Sequence, residues 1–193
     1  MTKEIKKKYR SRRPRRDTSN DYINNKALYE VMLQFYNDNQ EAKSRGLPRP
    51  EIPKYVGECL LMIAQKLATK PNFIGYSYKD EMISDGVLNC ITYAVEAFDP
   101  YKTQNPFAYF TQTIFFAFIR RIESERKQSY VKYKNYTLMN LHDNLDGVDV
   151  PTNELNQQIN SFIGAYEKKL TEDRKSAKIK RKLAKEKAMS NDN

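Results

Sequence analysis

The run FAYFTQTIFFAFIRRI, residues 107–122, limits the fold more than any other stretch of the chain. Its apolar residues recur at spacings of three and four, so they line up only on a helix. Asn105 and Pro106 precede it: a capping side chain, then a residue whose fixed φ suits the first helical position. At 100° per residue, Phe107, Ile114, Phe118 and Ile122 fall within about 80° of one another, flanked by Phe110 and Phe115. That stripe requires a core. Tyr109, Gln112, Thr113, Phe116 and Arg120 fall on the far side, where an ordinary amphipathic helix is simply polar. The helix is expected to run to about Tyr133 and to use both faces.

The rest of the chain has the same period. Ile23, Ala27, Leu28, Val31 and Phe35 predict a first helix of about four turns, with Thr18, Ser19, Asn20 and Asp21 as candidate caps. Residues 37–53, with three prolines and a glycine, read as a linker. A second helix begins near Pro53 with the stripe Val56, Cys59, Leu60, Ile63 and Leu67, and KPNFIGY breaks it. A third spans 77–99, with Ser77 as N-cap, Asp80 and Glu81 in its first turns, and Ile83, Val87, Cys90, Ile91, Ala94 and Phe98 on one face. Residues 139–153 read as an acidic loop, and a solvated helix or tail begins at Asn153. Period-two alternation is sustained nowhere, so the expected class is all-α.

Charge divides the chain further. Of the net +10, residues 1–16 hold nine Lys/Arg against one acid and residues 168–187 hold ten against three, which leaves the body mildly acidic. Basic ends attract polyanions. From Asp80 to Asp99 there are five acids and no Lys or Arg, a surface suited to a basic protein partner. No apolar run is long enough to span a bilayer and no leader pattern succeeds the basic start, so a cytosolic chain without membrane contact is expected. Cys59 and Cys90 lie in apolar periodic segments and the single His142 stands elsewhere, which predicts buried thiols, no metal and no cofactor. Without a glycine-rich phosphate cradle or a nucleophile near a base, the chain is not expected to be an enzyme.

The far face of the aromatic helix has a chemistry of its own. Two rings, an amide, a hydroxyl and a guanidinium match the needs of single-stranded nucleic acid, where stacking contributes about 1–3 kcal/mol per base. Arg121, Arg126, Lys127, Lys132 and Lys134, interleaved with Tyr130, Tyr133 and Tyr136, extend this into a basic aromatic surface. The same spacing equally allows Tyr109 and Phe116 to be covered by another helix or by a protein partner.

DEMISDGVLNCITYAVEAFD, a short loop and FAYFTQTIFFAFIRRI together resemble the second conserved region of bacterial sigma factors. More narrowly, YINNKALYE, the FIGY-to-DEMISDG passage, AFDPYKTQNPFAYFTQ and FIRRIESERKQ are similar to the late-transcription sigma factors of T4-type bacteriophages. The resemblance covers residues 21–136. It implies a compact region 2-like helical domain at 21–137, a flexible basic arm at 1–20, and an acidic loop, short helix and lysine-rich tail at 138–193. It further implies a phage factor in the host bacterial cytoplasm that binds the RNA polymerase core and directs it to TA-rich minus-ten promoter DNA. The β′ coiled coil would meet Glu81, Ser84, Asp85, Val87 and Ile91. The melted nontemplate strand would meet Tyr109, Gln112, Thr113 and Phe116, joined by Arg120, Arg121, Arg126 and Lys127. A phage coactivator and the sliding clamp are further implied partners. Where housekeeping sigma factors carry a tryptophan pair, this chain has Gln112 and Thr113. The related phage factors end in an acidic, hydrophobic clamp-binding peptide, whereas this sequence ends KLAKEKAMSNDN, with SFIGAYE at 161–167 as a distant candidate for a partner-binding segment. A polymerase-binding accessory or anti-sigma protein, and a general single-strand binder, are the alternatives.

Overall fold

A computed structural model describes residues 22–143 and 153–191. Every regular element among them is helical, and the chain is all-α. The candidate caps Thr18 to Asp21, the basic arm and most of the acidic loop lie outside the described residues. The chain divides into two units, Met1–Phe118 and Ile119–Asn193, and the division falls inside a single helix.

The first unit opens with α1 (Asn25–Ser44), which is longer than its apolar pattern predicts. Asn24 is its cap: the side-chain oxygen accepts from the Lys26 and Ala27 amides at 3.1 and 3.2 Å. The polar stretch expected to be linker continues the helix because Phe35, Asn39 and Ala42 extend its buried face at spacings of four and three. The helix stops at Gly46, whose φ of 67° only glycine adopts without cost. There the Leu47 amide donates to Ala42 O at 2.9 Å and the Gly46 amide to Lys43 O, closing the helix end. The true connector is therefore residues 45–53.

Helix α2 (Lys54–Ala68) starts directly after Pro53 as expected and buries Val56, Cys59, Leu60 and Ile63. It packs on α1 and, more extensively, on α3 (Lys79–Asn89). Phe73, in the break between α2 and α3, is itself a core residue: its ring meets Phe115 and Phe118 edge-on at 5.6 and 5.2 Å. The third predicted helix is interrupted. After α3 comes a π-helical segment, Cys90–Ala94, then the short α4 (Val95–Ala97). Ser77 does not cap α3, whose N-terminus has no side-chain cap bond. The wider turn inserts one residue into the helical count and rotates the residues beyond it. Met82, Gly86, Cys90, Ala94, Val95 and Phe98 are buried, whereas Ile91, expected in the core, is exposed.

Helix α5 (Pro106–Asp143) starts where Asn105 and Pro106 predict, with Asn105 Oδ1 accepting from the Ala108 amide at 3.0 Å. Asn25 of α1 adds a second cap by accepting from the Phe107 amide at 3.1 Å. Phe110, Ile114 and Phe118 are fully buried, each contributing roughly 1.5–3 kcal/mol of burial free energy. Phe107 and Phe115, expected in the core, are half-buried at its margin, and Phe107 meets Tyr22 edge-on. Gly86 allows α3 to sit close on α5, because a Cβ there would lie 3.0 Å from both the Ile114 and Phe118 side chains.

The second unit pairs the later part of α5, which runs past the expected end near Tyr133, with α6 (Asn153–Asn191). Tyr130 stacks on Tyr166 at 4.6 Å, and Tyr133 meets Phe162 edge-on at 5.3 Å. Glu167 accepts from Tyr130 Oη and from Lys134 Nζ, both at 2.9 Å.

Candidate protein and nucleic-acid interfaces

The candidate protein face lies on α3. Glu81, Ser84 and Asp85 recur at spacings of three and four, and Leu88, seven residues after Glu81, continues the row. Glu81 and Ser84 are exposed, Asp85 is half-buried, Leu88 is 62% exposed and Ile91 is 38% exposed. The structure thus brings four of the five predicted contact residues into one band and turns the fifth, Val87, half-buried, away from it. Leu88 supplies an apolar member that sequence reasoning missed. Its spacing from Glu81 was readable; that the core stripe of α3 runs through Met82, Gly86 and Cys90 and so leaves Leu88 and Ile91 outside was not.

This band is less acidic than its composition implies. Of the five acids between Asp80 and Asp99, Glu96 pairs with Lys43 at 2.9 Å and Arg49 at 3.7 Å, and Asp99 pairs with Lys102 at 2.9 Å. The hydrogen bond from Lys43 holds the Glu96 carboxyl below its ordinary range, and that from Lys102 does the same for Asp99. Both are consumed within the fold. Arg49 also donates to the Ile91 carbonyl at 3.1 Å and lies over the Phe35 ring, so one guanidinium ties the connector to the π turn. The exposed carboxylates of this segment outside those pairs are Asp80 and Glu81, at the start of α3.

The candidate strand-binding face lies on the first turns of α5, and its two rings are not equivalent. Tyr109 is half-buried, meeting Phe98 and Phe110 at 5.3 Å each, and burial pushes its phenol up from the usual value. Phe116 is 51% exposed, with only an edge contact to Phe115 at 5.8 Å. Gln112, between them in the chain, is exposed. Thr113 is half-buried and donates its hydroxyl to the Tyr109 carbonyl at 3.0 Å, which leaves it an acceptor rather than a donor. A base stacking on this face would meet Phe116 as the open platform, Gln112 as the hydrogen-bonding group and the Tyr109 edge as a wall.

Because Gly86 of α3 rests on Ile114 and Phe118 of α5, the Glu81–Leu88 row and the Gln112–Phe116 face point away from each other across that contact.

The remaining predicted contacts belong to the second unit. Arg120 is exposed, and Arg121 is half-buried in an ion pair with Glu125 at 2.9 Å. Arg126 and Lys127 are exposed along a groove of about 620 Å³ that Phe162, Tyr166 and Leu170 of α6 also line. Tyr130, Tyr133 and Lys134 are drawn into the α5–α6 contact and do not extend an open basic aromatic surface. In the SFIGAYE segment Ile163 is buried and Phe162 and Tyr166 are half-buried, their rings stacked 6.5 Å apart. Cys59 and Cys90 are free and buried, as expected, and burial raises the Cys90 thiol to about 12. Among the described residues there is no cluster of metal-ligating side chains and no helix long and apolar enough to cross a membrane. Compared with known proteins, the chain matches no protein-family model and no curated protein sequence.

Proposed function

We propose that this chain is a non-enzymatic, sigma-like promoter factor of the phage late-transcription type, acting in the host cytoplasm on a bacterial RNA polymerase core. The observation that carries the proposal is the opposed pair of faces in the first unit. An acidic row that ends on the exposed Leu88 suits a basic and partly apolar protein surface. An exposed phenylalanine beside an amide suits an unstacked base. A factor that tethers on one side and captures a strand on the other needs this arrangement, and a plain single-strand binder has no use for the first face. The resemblance to sigma region 2 rests on the order and spacing of the quoted motifs, and it assigns the two faces to the β′ coiled coil and to the nontemplate strand. Catalysis stays with the polymerase. Strand capture offsets the cost of opening easily unstacked TA steps. With no tryptophan in the chain, Phe116, the more exposed of the two rings, takes the role of the ring that holds the first flipped base.

The test is run-off transcription with core polymerase on a template carrying TATAAATA. Unmodified protein initiates at one position, Phe116→Ala still co-purifies with polymerase but fails to open the template, and a Glu81→Lys, Asp85→Lys pair loses co-purification. Absence of promoter-specific initiation by the unmodified protein, with polymerase binding intact, would favour the accessory or anti-sigma reading.

A further inference from the structure

The second unit carries a surface that has no part in promoter capture. Residues 174–182 of α6, RKSAKIKRK, hold six Lys/Arg and no carboxylate. At 100° per residue, Arg174, Lys175, Lys178, Arg181 and Lys182 fall within about 120° of one another and extend about 12 Å along the axis. Every residue from Lys168 to Ala184 is exposed, and none of the five cations has a carboxylate partner among the described residues. The contrast with the preceding turns is sharp: there Glu167 is paired with Lys134, and Glu172 and Asp173 accompany Lys168 and Lys169.

Such a stripe opposes its own helix. Arg174 with Lys178, Lys175 with Lys178, Lys178 with Arg181 and Lys178 with Lys182 stand three or four residues apart, where like charges repel and where carboxylates would have stabilised the helix. A polyanion lying along the stripe removes that repulsion.

We propose that this face of α6 binds the phosphate backbone of duplex DNA. Its composition separates that partner from the other polyanions. A single-strand site needs rings between its cations, and α6 has no aromatic residue after Tyr166. A helix that lies in a membrane surface needs a continuous bulky apolar face, and opposite these cations stand only Ile179 and Leu183 among small and charged residues. Five cations in a row without rings or apolar bulk match regularly spaced phosphates, read without regard to sequence. The surface is independent of promoter capture on α5 and would hold the protein on duplex that has no melted element.

The experiment uses the full chain without polymerase, a fluorescent G·C-rich duplex of about 30 base pairs lacking any TA-rich element, and salt from about 0.05 to 0.2 M. In the R174Q/K175Q/K178Q/R181Q/K182Q variant, glutamine preserves helix propensity, which circular dichroism verifies. Removing the stripe is expected to weaken binding at least about tenfold. It should also flatten the plot of log affinity against log salt by about 0.9 for each phosphate no longer neutralised, about 4 in total. A second variant, E172K/D173K/K175D/K178E, keeps composition and net charge while placing two carboxylates within the stripe. It is expected to lose affinity as well. Unchanged duplex binding by the first variant, or wild-type binding by the second, would each overturn the proposal. Since neither a promoter nor polymerase is present, these outcomes are separate from the transcription test.

Discussion

Helix α5 belongs to both units and is stabilised differently in each. Up to Phe118 it carries Phe110, Ile114, Ala117 and Phe118 fully buried, with rings from Phe73 and Phe98 fitted against them. Beyond Ile122, none of its residues of described burial is fully buried, and its contacts to α6 are a stacked tyrosine pair, an edge-on ring and one carboxylate held by two donors. The first unit is held by a cluster of buried rings and aliphatic side chains; the second buries Ile122, Ile159 and Ile163 and adds a few oriented contacts at a wet surface. Charge is thus free to collect on α6, where it displaces little packing, whereas in the first unit only residues outside the ring cluster are available for binding.

That contrast can be broken most forcefully at Phe118. Phe118→Ala removes a fully buried ring that Phe73 and Gly86 both touch, and is expected to cost about 3–5 kcal/mol in urea unfolding. Gly86→Ala comes next. The added methyl meets two side chains at 3.0 Å, so overpacking of about 1–3 kcal/mol outweighs the helix preference for alanine of about 0.5–1 kcal/mol. A neutral or stabilised variant would show that α3 and α5 have room to part.

In the second unit the expected effects are smaller and depend on pH. Lys134, then Tyr130, holds the Glu167 carboxyl below its ordinary 4.5, so this cluster stabilises at neutral pH and that contribution fades as pH falls below the ordinary carboxylate value. The Lys134 ammonium is raised by Glu167, so its part persists at neutral pH and is lost only as pH rises above 10.5. Thermal melts of Glu167→Gln should therefore lie below wild type at neutral pH and converge with it in acid; parallel melts at every pH would mean that solvent screens the cluster completely. The smallest change in stability is expected for Phe116→Ala, within about 0.5 kcal/mol by urea unfolding, since half of the ring is in solvent. A larger loss would place Phe116 in the core and remove it as a platform.

The sequence made the α5 start legible because Asn105 and Pro106 act locally, and it made Phe110, Ile114 and Phe118 legible because a regular helix repeats its angle. It did not reveal the π turn at Cys90–Ala94, since any reading at a fixed 100° per residue assumes that no residue is inserted. Ile91 was placed on the wrong side because the buried stripe ahead of that turn is Met82, Gly86 and Cys90, at spacings of four, and not Ile83 and Val87. The length of α1 was hidden for another reason: Asn39 is polar yet buried, and its side-chain oxygen has no partner among the described residues, so hydropathy marked the helix as ended. On α5, periodicity placed Tyr109 and Phe116 together on the outer face but carried no information about Phe98, which arrives from another element and covers one of them. The α3 row was half visible, in its acids but not in Leu88.

Both thiols of the chain, Cys59 and Cys90, lie in the first unit, and the second has none. With the Cys90 sulfur protonated at neutral pH and buried at the start of the π turn, an alkylating reagent reaches it only when that packing opens. The rate of covalent labelling therefore clocks the breathing of one unit alone, and it can be followed while the other is titrated with DNA.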